Sequence, residues 1–451
     1  PARFDKALEE AASRLAAVRD AYGGASVGIL GSARITVEEV RMLRRLARAV
    51  GTPHFDSLQR LGYLSFPPVD LRDLEVASRL TLLGTNLEER HPQIARRTLR
   101  ALDRGAEVRV VHARRVSPAT AGAGHFRVLP GHELDEVPDA MENEFLLVSS
   151  ELALCGRGGD AADRLTGRSA MFLSDHVNQR GAVEAGLHPS LEGMSAWEML
   201  IAASEGRLKA LLVFGDDPFE LFPETAARAF AGAEFTLVVD AVKTGSGRHA
   251  DIVLPGGLLS EKHGTVVNME GRAQEVAPVV ERPRGWTEGG VATRLAERLG
   301  ADHEMAPPPP MALCSGRMEP EGPSAQYPFV VALDAATFWA RSAVVRATVT
   351  AWREARNLAA DFPSGCVGLS REDAKALRVG NGAPVSVTGA DGSITLPARI
   401  DPHALPGVVW VPMSSWESAG TRLGALVHDP ALRIPVFRPR AVRLARAEEK
   451  A

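Results

Sequence analysis

The stretch HADIVLPGGLLSEKHGTVVNMEGRAQ, residues 249–274, sets Glu261, Lys262, His263, Asn268, Glu270 and Arg272 behind an apolar run. These side chains suit general acid–base work, with Glu261 as the base and Lys262 or His263 beside it. Successive residues of a strand or turn point in different directions, so closeness in sequence does not bring their heads together. The same groups can form an ion-pair framework around the turn at Gly264, and this structural reading is preferred to the catalytic one.

Two shorter motifs suit ligand binding. GTN (84–86) and GDD (215–217) each follow an apolar run and precede a helix. Glycines there let backbone approach a ligand, and Asn86 or Asp217 could bond to a ribose or a base edge. A single such match is an ordinary strand-to-helix turn; the duplication argues for a former or present nucleotide site facing one shared crevice. His91, before Pro92, reads as a helix cap, and the other histidines lack any H-x₃-H or HExxH spacing, so no zinc site is expected. Cys155, Cys314 and Cys366 are the only cysteines, too few for an iron–sulfur cluster, which needs about four thiolates.

The elements that must carry these motifs repeat. Residues 79–115 and 210–244 each read as apolar strand, glycine, polar pair, Pro-containing turn, helix, Gly-Ala-Glu and a second apolar strand. Strands this uniformly apolar belong to parallel sheets covered on both faces, so each half is a βαβ unit of the doubly wound kind. A helix over 4–21, a strand at 25–32 and a helix from about Thr36 to Val50, capped by Thr36 with Glu39 and closed by Gly51, begin the first half.

The expected class is thus α/β: two doubly wound Rossmann-like halves, 1–115 and 196–300, separated by a loop-rich insert over 116–195. A linker over 301–328 follows, whose Pro307–Pro310 run favours polyproline, and then a mainly β domain over 329–451, for which a small closed barrel is the natural shape. With 451 residues, a net charge of −4 and no apolar run of about 18 residues, the chain is expected to be cytoplasmic, with no nucleic-acid partner.

Four stretches together resemble the molybdopterin oxidoreductase superfamily over almost the whole chain. They are GILGSARITVEEVRMLRRLARAVGTPHFDS, LLGTNLEERHPQIARRTLRAL, the opening stretch, and LSREDAKALRVGNGAPVSVTGADGSITLPARI. The last, with GVVWVPM and DPALRIPVFRPRAVRL, is similar to the C-terminal dinucleotide-binding barrel of formate dehydrogenases, of the double-psi type. The wider pattern is similar both to formate dehydrogenase catalytic subunits and to the large iron–sulfur subunit of respiratory complex I.

Departures from the family bear on activity. Formate dehydrogenases carry a cysteine or selenocysteine metal ligand shortly after the motif matched by GTPHFDS, and here that place falls near Gly62. Ser174 stands at about the place of their catalytic arginine, and the neighbouring active-site histidine has no counterpart. After the second strand, where the family usually shows an acidic residue, the first half has His112 and the second keeps Asp240. In the barrel Arg422 is kept, with Thr421 where active members commonly have Asn. The family's N-terminal cluster-binding cysteines are also absent, so they lie on a partner or in a longer version of this chain.

The resemblance therefore implies a catalytically silent scaffold of an NADH:quinone oxidoreductase or a related electron-transfer complex, peripheral on the cytoplasmic membrane face through a cluster-bearing partner. No catalytic or metal-ligating residue is expected on this chain. Gly84, Asn86, Gly215, Asp217, Asp240, Glu261, Asn268, Arg272 and Arg422 form the expected pterin-nucleotide cleft, vestigial if no cofactor is bound. No cofactor on this chain is the leading expectation, with molybdopterin guanine dinucleotide as the alternative occupant and iron–sulfur clusters confined to a partner or a missing N-terminal region. The alternative function is a divergent molybdenum or tungsten bis-pterin oxidoreductase; a nucleotide-binding module is a third.

Overall fold

The structure, a computed structural model, describes residues 3–447 apart from 61–62, 117–120, 282–285, 302–307, 309–317, 335–364 and 413–415. The chain builds two units and visits each twice. Unit 1 takes Pro1–Leu61 and His176–Leu313; unit 2 takes Gly62–Asp175 and Cys314–Ala451.

The first pass through unit 1 lays down β1 (Val27–Leu30) and β2 (Phe55–Asp56). Unit 2 then receives β3 (Arg79–Leu83), β4 (Glu107–Val111), β5 (Gly124–Phe126), β6 (Glu144–Ser149) and β7 (Ala170–Leu173). The return to unit 1 adds β8 (Ala210–Phe214), β9 (Phe235–Asp240), β10 (Ile252–Pro255), β11 (Gly264–Val267) and β12 (Ala273–Val276). The last pass supplies β13 (Phe329–Asp334), β14 (Val367–Leu369), β15 (Pro384–Thr388), β16 (Ser393–Ile400), β17 (Val408–Pro412), β18 (Leu426–Asp429), β19 (Ile434–Phe437) and β20 (Arg440–Arg446).

Unit 1 is centred on a parallel sheet of order β10-β9-β8-β1-β2, and unit 2 on a parallel sheet of order β5-β4-β3-β6-β7. Both are doubly wound: winding reverses between β8 and β1 in the first, and between β3 and β6 in the second. Every residue of β8, β9 and β6 is buried, because helices cover both faces, and this is why these strands lack a polar alternation. Each fully buried leucine or valine in them contributes about 1.5–3 kcal/mol relative to exposure.

The helix Val37–Val50 starts with the expected capping box: Thr36 Oγ1 accepts from the Glu39 N–H at 3.3 Å, and Glu39 Oε2 accepts from the Thr36 N–H at 3.1 Å. Gly51 closes it at φ +80°, in the left-handed region. Its apolar face, with Val40, Leu43 and Leu46, joins Ile29, Leu212 and Phe214 in the core of unit 1.

Two expectations on domain division need correcting. A boundary at 115 separates segments that fold together, because β1 pairs with β8, and β3 and β4 pair within a sheet completed by β5, β6 and β7. The region 116–195 is no loop-rich insert: it supplies three strands, and β6 lies beside β3 at the switch point. These strands are short, and their pairing across long sequence separations leaves no trace in local periodicity.

The C-terminal region forms the expected closed barrel, of order β13-β17-β14-β16-β15-β20, with β18 and β19 as a separate antiparallel pair. Inward positions alternate along β15, where Val385 and Val387 are fully buried. The Pro307–Pro310 run lies outside the described residues except for Pro308. No helix among the described residues is long and apolar enough to cross a membrane.

Candidate functional site

In doubly wound sheets a ligand binds beyond the carboxyl ends of the strands, where winding reverses. GDD follows β8 and GTN follows β3, so each motif lies at the switch point of its own sheet. The repeat is close. Gly215 and Gly84 have φ +67° and +66°, a conformation that disfavours a side chain, and each donates its N–H to the neighbouring strand, to Val239 O at 2.8 Å and Val111 O at 3.0 Å. A broken helix follows in both cases, Pro218–Leu221 with Pro223–Gly232 and Leu87–Arg90 with Pro92–Asp103. This register makes Asp217 the counterpart of Asn86, and Asp240 that of His112.

At the switch point of unit 1, Asp217 is spent on structure. Its carboxylate accepts from the N–H groups of Phe219, Gly245 and Ser246 at 3.3, 2.8 and 2.9 Å, and from Ser246 Oγ at 2.7 Å. Asp216 accepts from the Leu58 and Asp217 N–H groups and from Gln59 Nε2, at 3.3, 2.9 and 3.3 Å, and burial pushes its carboxyl up to about 6. Asp240 differs. Its Oδ1 accepts from the Val242 N–H at 3.1 Å, whereas Oδ2 is buried and has no partner among the described residues. Burial raises this carboxyl too, against the opposing charge of Arg34. Arg34 follows β1 and donates Nε and Nη2 to Gly215 O at 3.1 and 2.8 Å, with no partner for Nη1 among the described residues.

At the switch point of unit 2, Asn86 makes no capping bond, and its Oδ1 and Thr85 Oγ1 are buried without partners among the described residues. The charged groups are paired with one another. The Arg90 guanidinium, 4% exposed, meets Glu151 at 3.1 Å, Asp175 at 2.5 Å and Ser150 Oγ at 2.9 Å. These partners follow β6 and β7, so the cluster bridges the loops of three strands; Ser149 Oγ adds a bond to Gly84 O at 2.6 Å. Burial lowers His91 to about 4, so it is neutral near pH 7. His112 accepts the Arg114 N–H at Nδ1, 2.8 Å, which leaves the proton on Nε2, 3.6 Å from Glu151. Its ring lies parallel to that of Trp410, with centroids 6.0 Å apart. Trp410, Glu133, Cys155 and His112 also line a cavity of about 20 Å³, room for about one water.

The stretch that opened the sequence is a brace. Lys262, 2% exposed, is held by Glu288 at 2.6 Å and Glu39 at 3.0 Å; burial disfavours its charge, but the two carboxylates outweigh this and raise its pKa. Glu261 accepts the Leu258 N–H at 2.9 Å, while His263 is 71% exposed and meets Glu275 at 3.1 Å. Three consecutive heads therefore go three separate ways. Asn268 Oδ1 accepts from the N–H groups of Glu270 and Arg272, both at 3.0 Å, and shapes the hairpin turn between β11 and β12. Arg272 is exposed, 3.9 Å from Glu270, and Arg422 is exposed at the end of the barrel helix Trp416–Arg422.

Of the expected cleft residues, Gly215 and Asp240 share one switch point and Gly84 and Asn86 the other. Glu261, Asn268 and Arg272 serve the turns around the hairpin. Sequence reasoning missed Arg34, Asp216, Arg90 and Glu288, whose partners are distant in the chain. The place near Gly62 lies outside the described residues, and Ser174 is half-buried immediately after β7.

Residues 141–285 match the molybdopterin oxidoreductase family, and residues 341–436 the molydopterin dinucleotide binding domain. The chain belongs to the molybdopterin oxidoreductase superfamily. Among its relatives is the alpha subunit of the F420-dependent formate dehydrogenase of Methanocaldococcus jannaschii, 22% identical over 98% of this chain and 89% of that protein. Another is a subunit of the NADH-quinone oxidoreductase of Mycobacterium bovis, 26% identical over 92% of this chain and 59% of that protein. Acetylene hydratase from Pelobacter acetylenicus shares the fold, with a TM-score of 0.64 and 14% identity over 99% of this chain and 89% of the other.

Proposed function

We propose that the chain is a catalytically silent body of an electron-transfer complex of the NADH:quinone oxidoreductase kind, bracing a cluster-bearing partner subunit or domain. The observation that carries this reading is the fate of Arg90. Redox turnover on a substrate bound at this switch point needs a cation there uncommitted enough to meet developing charge, yet in unit 2 the buried guanidinium is held by two carboxylates. Ser174, at the place where the family resemblance calls for arginine, offers no replacement. The three scattered cysteines leave any cluster to another polypeptide or segment.

Unit 1 suits the nucleotide end of a molybdopterin dinucleotide better than unit 2 does: the unpartnered Asp240 Oδ2 is an acceptor for a hydroxyl, and Arg34 a donor for phosphate. Such a group would bring redox chemistry through its metal when bound. The second reading, a divergent molybdenum or tungsten oxidoreductase subunit with clusters on a partner, is favoured by the formate dehydrogenase relative, which this chain covers almost end to end. Metal and pterin analysis of the chain purified with its partner separates the two. The scaffold reading expects neither molybdenum nor tungsten; either metal at one per chain, with a pterin, overturns it.

A further inference from the structure

The helix Pro92–Asp103 of unit 2 and the helix Pro223–Gly232 of unit 1 hold the same place in the repeat, and their outer faces differ. Arg96 and Arg100 are exposed where unit 1 has the exposed Ala227 and Ala231. A βαβ unit of this kind therefore forms without arginine at either place. We propose that the face carrying Arg97, Arg100 and Arg104 is a docking surface for a carboxylate-rich segment of the partner polypeptide.

The three arginines stand at i, i+3 and i+7, which is one side of a helix. All converge on one carboxylate of the turn Asp73–Glu75: Arg97 Nη1 and Arg100 Nη1 lie 2.8 and 3.3 Å from Glu75 Oε1, and Arg104 Nη1 lies 3.4 Å from Oε2. Arg104 Nη1 also donates to Glu75 O at 3.0 Å. Three cations thus share one anion, which leaves a surplus of positive charge at the node. Only Nη1 of each guanidinium is engaged; Nε and Nη2 have no partner among the described residues. Glu75 is 15% exposed, against 49% for Arg100 and 57% for Arg104, so an arriving molecule meets the arginines before the acid. Guanidiniums this close repel one another, and further carboxylates would relieve that repulsion while filling the unused forks.

Two features favour a protein segment over a phosphate or an extended polyanion. Val76, next to Glu75, is 66% exposed and offers an apolar contact that a free phosphate cannot use. Asp73, in the turn with Glu75, and Asp103, in the last turn of the helix, are exposed and pair with none of these arginines. A membrane face or a nucleic acid would press against these acids too, whereas a short acidic segment can follow the arginines alone.

This inference deepens the scaffold reading by naming the chemistry of the partner, and rests on it only in that a partner exists. Titration of the full chain with fluorescently labelled hexaglutamate tests the surface. The expected result is one peptide per chain, held less tightly as salt rises. Binding should weaken by about tenfold in R97Q/R100Q/R104Q, or in R100Q/R104Q where the triple variant does not fold. R228Q, on the equivalent helix of unit 1, should leave the affinity as it is. In the complex purified with its partner, p-benzoylphenylalanine in place of Gln93, one turn before Arg97 on the same face, should crosslink to an Asp- or Glu-rich segment of the partner. No binding of hexaglutamate, full affinity in the folded arginine variants, or tighter binding of inorganic phosphate or phosphatidylglycerol vesicles than of the peptide would each overturn the proposal. So would a crosslink to a second copy of the chain, or a complex that forms with no crosslink from position 93. Molybdenum with a pterin in the chain would end the scaffold reading and leave these results untouched.

Discussion

The sheets of the two units share a layout of three strands wound one way and two the other, in opposite chain order, with a left-handed glycine at the switch point and a broken helix after it, yet they dispose of polar groups there in opposite ways. Unit 1 brings three carboxylates around one arginine and leaves Asp240 with an unanswered oxygen. Unit 2 sets one arginine between two carboxylates and a serine, with neutral residues at the positions of the acids. A backbone suited to ligands is thus common to both, whereas the side chains decide whether polar groups at that place serve a visitor or the fold itself. A buried pair is costly to break because removing one partner strands the other in a medium of low dielectric.

The comparison is broken most directly by removing the buried cations. R90M strands Glu151 and Asp175 in unit 2, and K262M strands Glu39 and Glu288 in unit 1; each should cost roughly 3–5 kcal/mol in urea unfolding. If R90M costs less than about 1 kcal/mol, the Arg90 cluster is not a sealed network.

Acid should act on the two units in opposite senses. His91 is held near 4 in the fold, below its ordinary 6.5, so its contribution to unit 2 is present above pH 6.5 and is lost as pH falls toward 4, roughly 3 kcal/mol in full. Asp216 is held near 6, above its ordinary 3.8, so its contribution to unit 1 is present below pH 3.8 and is lost as pH rises through 6, again roughly 3 kcal/mol. Hydrogen exchange corrected for its intrinsic pH dependence should show β3 and β6 loosening, and β8 and β1 tightening, between pH 6.5 and 4. Parallel changes in both sheets would contradict these assignments.

A smaller effect separates the paired positions of the two motifs. D217A removes the cap of the helix Pro218–Leu221 and the clamp on Gly245 and Ser246, which should cost about 1–2 kcal/mol. N86A removes no capping bond and should cost clearly less in the same thermal unfolding assay. Last, H263A should leave stability unchanged, since this side chain and its Glu275 partner are both exposed. A clear loss of stability there would mean that the pair is part of the brace.

Much of the frame was legible in the sequence. The capped helix Val37–Val50 announces itself by Thr36, Glu39 and Gly51, and the βαβ repeat by its uniformly apolar strands, since both signals are local. The candidate site was legible as two loops. Which members of those loops stay available was not, because Asp217 and Asp240 are alike in type and differ only in the donors that tertiary packing brings to them. Lys262 illustrates the same limit: its neighbours Glu261 and His263 suggested a catalytic cluster, whereas its partners are Glu39 and Glu288.

By itself the sequence determined the βαβ class of the two repeated segments, the barrel at the C-terminal end, the placing of GTN and GDD after strands, and membership of a superfamily through motifs in a set order. These follow from periodicity, turn chemistry and residue type, which act over a few residues. Only the tertiary structure decided that β1 belongs with β8, that β6 completes the sheet begun by β3, and that Arg90 is spent while Asp240 is not. Those outcomes depend on which distant groups share a low-dielectric interior, where an unpaired charge or acceptor is expensive and a paired one is not.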